Sequence, residues 1–393
     1  MEHSIPNHSK RTRTLTFGLL LLYSLLPGLY KIVGLQALMA LSVPILAFLI
    51  YFIPVKISFQ KCDRLFMIYL LYILGQSVIY MIFPVANRVG IALGLFMNVV
   101  PMVGYFFAGA FSLEELSRPL IRIIAIHALL GILLYPAFGI TSATNSTVAK
   151  LLDGVAFLRM ASVSGSLGFG NMMMIGFILS FFYDKRYLPL MLFCLIFSNQ
   201  RSAWIGGGFV VIIYCWEALR SVNFANLAKI FMGIILSALL FYIVALKYLK
   251  IDFDFVLHRL NNLNSATSER SDMWVAGLEN FANAPWGVGL GQVGQIATRA
   301  QGAQTLHKLV PDGEYVRILS ESGIIGGIFI IGVVFLFIVK FLRGMPLRSE
   351  QTAVAIVGGM LVQMLGSNVH EFYFTNFMLW IFIGYFLKET SKL

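Results

Sequence analysis

Long apolar runs separated by short polar breaks dominate this chain. A helix needs ~20 mostly apolar residues to cross a bilayer, and on that criterion the runs predict an all-α polytopic membrane protein with about twelve transmembrane helices. We expect these helices near residues 15–33, 35–53, 65–83, 89–111, 120–139, 167–183, 187–200, 203–219, 227–247, 322–341, 351–367 and 374–388. The pair 187–200 and 203–219 depends on the polar break at 198–202, because one continuous helix there would invert the orientation of everything that follows.

One long segment departs from this pattern. Residues 248–321 are rich in acids and arginines and predict a loop outside the bilayer, between helices 1–9 in residues 1–247 and helices 10–12 in residues 322–393. Within the loop we expect short helices, one of them over 268–284 with Ser268 as its cap and Pro285 at its end. Ionisable residues gathered beside a membrane-embedded body indicate a functional site.

Composition supports a membrane protein. The chain has 393 residues, 59% hydrophobic and only 12% charged, whereas soluble domains carry about 25% charged residues. The net charge of +11 would suggest a nucleic-acid partner for a soluble protein. Here we attribute it to Lys and Arg at cytoplasmic helix ends, and we predict no nucleic-acid partner.

The distribution of charge predicts an orientation. If the N-terminus is cytoplasmic, most of the 29 basic residues but fewer than half of the 18 acids fall on the cytoplasmic side, as the positive-inside rule requires. Both termini are then cytoplasmic and the long loop is periplasmic or external. The same outer face receives the loop 140–166 with Arg159, the helix break at Arg201, and the short loop 368–373 with His370.

The arginines on this face predict an anion site. A guanidinium is a planar, permanently charged fork that suits phosphate oxygens. Arg201 stands at the predicted start of a helix, where the helix N-terminus adds partial positive charge. The alternative is that these arginines anchor helices at the interface or pair with nearby acids. The candidates for binding pyrophosphate or glycan are Arg159, Arg201, Arg270, Arg317 and His370.

Carboxylates near the end of the loop are candidate general bases. Asp312, Glu314 and Glu321 could accept the proton of an attacking sugar hydroxyl, although acids at a helix start are also favoured by its dipole alone. Asp252 and Asp254 form an Asp-x-Asp pattern, which is too weak to indicate a divalent ion. The sequence contains no nucleotide-binding loop and no zinc-ligand spacing, and we predict neither a metal nor a cofactor.

Three stretches stand out by their order and spacing around one external loop. They are SNQRSAW at 198–204, ERSDMW at 269–274 leading to NAPWGVGLG at 283–291, and DGEY at 312–315 followed by LSESGIIG at 319–326. Together they resemble the bacterial O-antigen polymerase and O-antigen ligase superfamily (Wzy-type polymerases and their ligase relatives).

The resemblance implies a glycosyltransferase of the inner membrane. Its substrate would be an oligosaccharide on undecaprenyl pyrophosphate, which passes to an acceptor sugar at the periplasmic face, and a chain-length regulator would be a partner. Arg201 and Arg270 would hold the pyrophosphate, and the base would come from the stretch between Asp312 and Glu314. The resemblance implies that the ligase branch has a His-Asn-type pair at the place where this chain has Asp312 and Gly313. This departure favours a polymerase.

Two other functions stay open at this stage. A ligase would use lipid A-core as the acceptor. A transporter of lipid-linked sugar would place ionisable groups near the middle of the bilayer and often shows two related halves. In this chain the charges cluster outside the predicted helices, and no internal repeat is evident.

Overall fold

The computed structural model describes residues 10–33, 41–52, 63–83, 87–135, 160–162, 165–220, 232, 263–294, 296–297, 313–367 and 369–390. Over these residues the protein is helical and contains no strand, which confirms the predicted all-α class. The helices are α1 (Lys10–Val33), α2 (Ser42–Phe52), α3 (Asp63–Ile82), α4 (Arg88–Gly94), α5 (Gly104–Phe107), α6 (Leu113–Leu134), α7 (Ser166–Tyr183), α8 (Leu188–Phe197), α9 (Arg201–Arg220), α10 (Leu263–Asn283), α11 (Glu314–Arg343), α12 (Arg348–Gln363) and α13 (Tyr373–Thr390).

The helices lie where the apolar runs predict them. Each predicted span that the structure describes contains at least one of these helices, and the span 89–111 contains both α4 and α5. The span at 227–247 lies outside the described residues except for residue 232. Among the described residues, four helical stretches are long and apolar enough to cross a membrane: Asp63–Ile82, Arg88–Phe107, Leu113–Leu134 and Glu314–Arg343. The count of about twelve spans stays a prediction.

The structure contains the predicted break between the helices at 187–200 and 203–219. Helix α8 ends at Phe197, and α9 begins at Arg201 after a turn in which Asn199 has a φ of 51°. Asn is among the few residues that adopt this left-handed conformation readily. Two separate helices therefore stand where one continuous helix was the alternative.

Helices α9 and α12 run antiparallel in close contact. A Cβ on Gly206 would lie 2.8 Å from the carbonyl oxygen of Gly359, so glycine allows the two backbones to approach, as in other membrane helix pairs with small residues at the contact. At the far end, the Met345 amide donates to Glu217 over 2.8 Å. This pairing brings the start of α9 to the same end of the bundle as the end of α12.

The opposite end carries basic turns that we predict to be cytoplasmic. The guanidinium of Arg348 at the start of α12 lies 5.7 Å from the ring centre of Tyr183 at the end of α7. In the following turn, a hydrogen bond from Arg186 holds the pKa of the Asp184 carboxyl below its usual range.

Helix α11 differs from its predicted bounds. It starts at Glu314 instead of 322, and it is broken at Gly323, which has a φ of 58° and a ψ of −147°. The glycine-rich segment after α10, residues 284–291, packs into this break. The Ile324 amide donates to Pro285 O over 2.9 Å, and the Val288 amide donates to Ser320 O over 2.9 Å. At the break, the backbone groups of α11 that lack a partner within the helix therefore form hydrogen bonds with the backbone of the segment after α10.

Helix α10 confirms the predicted helix in the long loop but corrects its start. It begins at Leu263, so Ser268 lies inside the helix and the predicted cap at Ser268 is wrong. Pro285 follows its end, as expected. Along α10, Gly277 packs on the first turns of α11, and Ser320 Oγ donates to Gly277 O over 2.9 Å.

Replacing Gly323 with alanine tests the break. A Cβ there would lie 2.3 Å from Pro285 O, and its conformation is one that only glycine adopts readily, at a cost of order 1–3 kcal/mol for other residues. We expect Gly323→Ala to lower the thermal unfolding temperature in detergent. Gly327→Ala in the same helix is the control, because its Cβ would meet only a methyl of Leu319. Equal unfolding temperatures for the two variants would contradict this account.

Candidate active site

A buried charge cluster lies on the first part of α11. Glu314, Arg317 and Glu321 share one face of the helix, since residues three and four apart are neighbours. Arg317 Nε donates to Glu314 Oε1 over 3.0 Å, and Arg317 Nη1 donates to Glu321 Oε2 over 2.5 Å. All three side chains are buried.

A distorted helical turn supplies a further partner. Arg317 Nη2 donates to Asn98 Oδ1 over 3.1 Å, and Asn98 Nδ2 donates to Gly94 O over 2.9 Å. Asn98 belongs to a π-helical turn, Leu95–Val99, which follows α4. Such turns occur frequently at functional sites.

His370 joins the cluster from the short helical turn before α13. Its Nδ1 lies 2.8 Å from Glu314 Oε1, an ion-pair distance, and its backbone amide donates to Glu314 Oε2 over 3.1 Å. Asn376 Nδ2 bonds the carbonyl oxygens of both His370 and Met97, at 3.1 Å and 2.8 Å. Glu314 thus ties the start of α11 to the start of α13.

Glu321 connects the cluster to the glycine-rich segment. Its Oε1 accepts the Gly291 amide over 2.9 Å. Its backbone oxygen accepts the Gly289 amide over 3.0 Å and Gln76 Nε2 over 3.2 Å. Gly289 and Gly291 both have positive φ, which explains why glycine stands at these positions.

Arg201 starts α9 at the same end of the bundle. It is half-buried and follows the buried turn 198–200, where Gln200 Nε2 donates to Asn171 Oδ1 over 2.7 Å. The Met160 amide donates to Phe197 O over 2.8 Å. The chain just after Arg159 therefore reaches this turn, although Arg159 itself lies outside the described residues.

The remaining predicted residues flank the start of α11. The backbone of Arg270 lies one turn before Trp274 in α10, and Trp274 Nε1 is 2.9 Å from where a Cβ on Gly313 would be. Asp312 lies outside the described residues and directly precedes Gly313. The Glu314 amide donates to Met364 O at the end of α12 over 2.8 Å. The starts of α9 and α11, the end of α12 and His370 thus gather at one end, and α10 flanks them.

The elements that meet here are those that carry the three motif stretches, and a family comparison agrees with that geometry. Residues 187–331 match the O-antigen ligase family. This match supports the resemblance to the O-antigen ligase and polymerase superfamily that the motifs predicted, and it does not separate the two branches. No curated protein matches the chain.

Two predicted residues of this candidate site are held by other protein groups. All three guanidinium nitrogens of Arg317 contact Glu314, Glu321 or Asn98. Both carboxylate oxygens of Glu314 contact Arg317 or His370. A direct contact of Arg317 with pyrophosphate, and a role of Glu314 as base, stay predictions. The contacts themselves favour an anchoring role for both.

Sequence reasoning missed the polar partners inside apolar runs. Asn98 lies in the run 89–111, Gln76 in 65–83 and Asn376 in 374–388. A polar side chain inside a predicted membrane helix is expensive unless it has a partner. That cost is the signal by which these residues could have been found.

Removing Arg317 should destabilise the protein strongly. Arg317→Ala would leave two buried carboxylates without their cation, a change that costs about 3–5 kcal/mol when one partner of a buried pair is lost. We expect a large fall in the unfolding temperature of the purified protein in detergent. The control is Arg118→Ala, whose exposed pair with Glu114 contributes little. Similar small shifts for both variants would contradict the anchoring role.

Proposed function

We propose that this protein polymerises lipid-linked oligosaccharide repeat units of O-antigen or a related surface polysaccharide. The growing glycan would pass from undecaprenyl pyrophosphate to the sugar of a new lipid-linked repeat. The observation that carries the proposal is the meeting of Arg201, the start of α11 and His370 at one end of the bundle, with α10 alongside. The family match over 187–331 supports the general reaction.

The chemistry needs an anion site and a base. The acceptor hydroxyl attacks the anomeric carbon, the bond from that carbon to the pyrophosphate oxygen breaks, and the hydroxyl proton passes to a carboxylate. Arg201 and Arg270, with Arg159, would stabilise the charge that builds on the leaving pyrophosphate. Asp312 would accept the proton.

The buried cluster would position these groups. Glu314 lies two residues after Asp312. It is fixed by Arg317, by His370 and by the hydrogen bond that its backbone amide donates to Met364 O. A base held by a fixed helix start keeps its geometry during the reaction. We therefore assign Glu314 and Arg317 as positioning residues and Asp312 as the base.

A ligase that uses lipid A-core as acceptor is the second candidate, because the matched family is described by that activity. This chain has Asp312 and Gly313 at the place where the ligase branch has a His-Asn-type pair, and this difference favours the polymerase. The proposal includes a location in the bacterial inner membrane with cytoplasmic termini, a periplasmic active face and a chain-length regulator as partner.

Deleting the gene in its own host separates these functions. A polymerase deletion leaves lipopolysaccharide with a single repeat and no ladder on a gel. A ligase deletion leaves a bare core while long polymer accumulates on the lipid carrier. Single repeats that accumulate on carrier at the cytoplasmic side would instead indicate a transporter and overturn the proposal.

Complementing that deletion with Arg201→Ala tests the anion site. We expect no ladder with normal protein abundance in the membrane, because Arg201 begins α9 at the site and its loss removes charge from the transition state. The loss of a preorganised donor of this type costs about 10²–10³ in rate. Arg186→Ala, an exposed arginine at the opposite end, is the matched control and should restore the ladder. A normal chain-length distribution with Arg201→Ala would refute this role.

A further inference from the structure

A lateral cavity lies between α3 and the segment that follows α10. Its volume is about 360 Å³, within the ~300–1,000 Å³ typical of ligand pockets. Its lining consists of Leu71, Tyr72, Gly75, Gln76, Ile79, Tyr80 and Trp286. We call it the α3 groove.

Hydrogen bonds turn the polar atoms of the groove toward protein. Tyr72 Oη and Gln76 Nε2 donate to Trp286 O over 2.5 Å and 2.6 Å, and Tyr80 Oη donates to Gly287 O over 2.8 Å. These three polar atoms of the lining are thus engaged, and the amide oxygen of Gln76 is buried without a hydrogen-bond partner. The groove presents rings and hydrocarbon to its contents.

The groove opens toward the membrane side of the bundle. Helix α3 is a candidate membrane span, and Leu71 and Ile79 in the lining are 62% and 52% exposed. Trp286 is 63% exposed at its edge. A surface of this kind on a membrane span faces hydrocarbon, so its occupant is an apolar chain.

The position of the groove relates it to the charge cluster. Gln76 Nε2 also donates to Glu321 O over 3.2 Å, so the inner wall is the same backbone that carries Glu321. From Tyr80 to Leu71 the groove follows α3 for about 14 Å at 1.5 Å per residue. Tyr80 lies at the end nearer the start of α4, and Leu71 lies deeper in the span. A charged head at the site end would leave its chain in this groove.

We propose that the α3 groove binds the isoprenoid chain of the lipid-linked substrate, with Trp286 and Tyr72 as its aromatic wall. This inference rests on the proposed function for the identity of the substrate. It adds a second role for the glycine-rich segment, which both forms the wall of the groove and contacts Glu321. A chain bound in the groove would therefore fix the position of the glycine-rich segment, which is hydrogen-bonded to Glu321.

Gly75 offers a direct test. A Cβ at Gly75 meets no atom within 4 Å, and the same is true of Gly18 on α1. The full-length protein in membranes would carry a photoreactive benzoyl-phenylalanine at position 75 or at position 18. The probes are two labelled donors with the same glycan pyrophosphate, one on undecaprenol and one on a chain of two isoprene units.

We expect the undecaprenyl donor to crosslink at position 75 about tenfold more than at position 18, and about tenfold more than the short-chain donor, a ratio that corresponds to about 1.4 kcal/mol of preference. Equal crosslinking at both positions, or capture of phospholipid alone at position 75, would overturn the groove. Crosslinking does not depend on turnover, so a protein that captures the long-chain donor but extends no glycan would refute the polymerase and leave the groove supported.

Filling the groove gives a second readout. Gly75→Phe should raise the KM for the undecaprenyl donor about tenfold, because the ring would occupy the volume that the chain fills, and leave the KM for the short-chain donor unchanged. Gly18→Phe should change neither. An equal effect of Gly75→Phe on both donors would indicate a general structural defect and contradict chain binding.

Discussion

The position of Arg317 between two buried carboxylates is the constraint on which this end of the molecule depends. The guanidinium contacts Glu314 on one side and Glu321 on the other. Taking these charges out of water costs several kcal/mol per ion, so the arrangement persists only if each group keeps its partners. Those partners come from the π-helical turn, the glycine-rich segment and the turn before α13. The cost of burial therefore fixes how four separate segments meet.

The break at Gly323 follows from the same constraint. A continuous helix would need no outside partner for its backbone, whereas the broken helix exposes amides and carbonyls that water cannot reach. The glycine-rich segment satisfies them, through Pro285 O and the amides of Val288 and Gly289. Only glycine allows backbones this close, since a Cβ on Gly287 would lie 2.3 Å from Glu321 O. The motif 283–291 is thus explained by packing before any catalytic role is considered.

Hydropathy was sufficient to predict the described helices and the turn before Arg201, because both depend on local composition. It failed at the start of α11. Residues 314–322 contain three charged groups, so an apolar-run criterion excludes them, yet these groups form ion pairs with one another at helical spacing. The spacing of Glu314, Arg317 and Glu321 could have indicated that compensation. The contacts of His370 and Asn98 with this cluster could not have been predicted, because both residues lie far away in sequence and meet the cluster only through the fold.

The arginines of the site differ in what they can do for an anion. Arg317 is paired with two carboxylates, so Glu314, Arg317 and Glu321 together carry one excess negative charge and offer no net positive potential. That charge would repel a pyrophosphate nearby. Attraction must therefore come from arginines outside the cluster, such as Arg201, where the N-terminus of α9 adds its dipole.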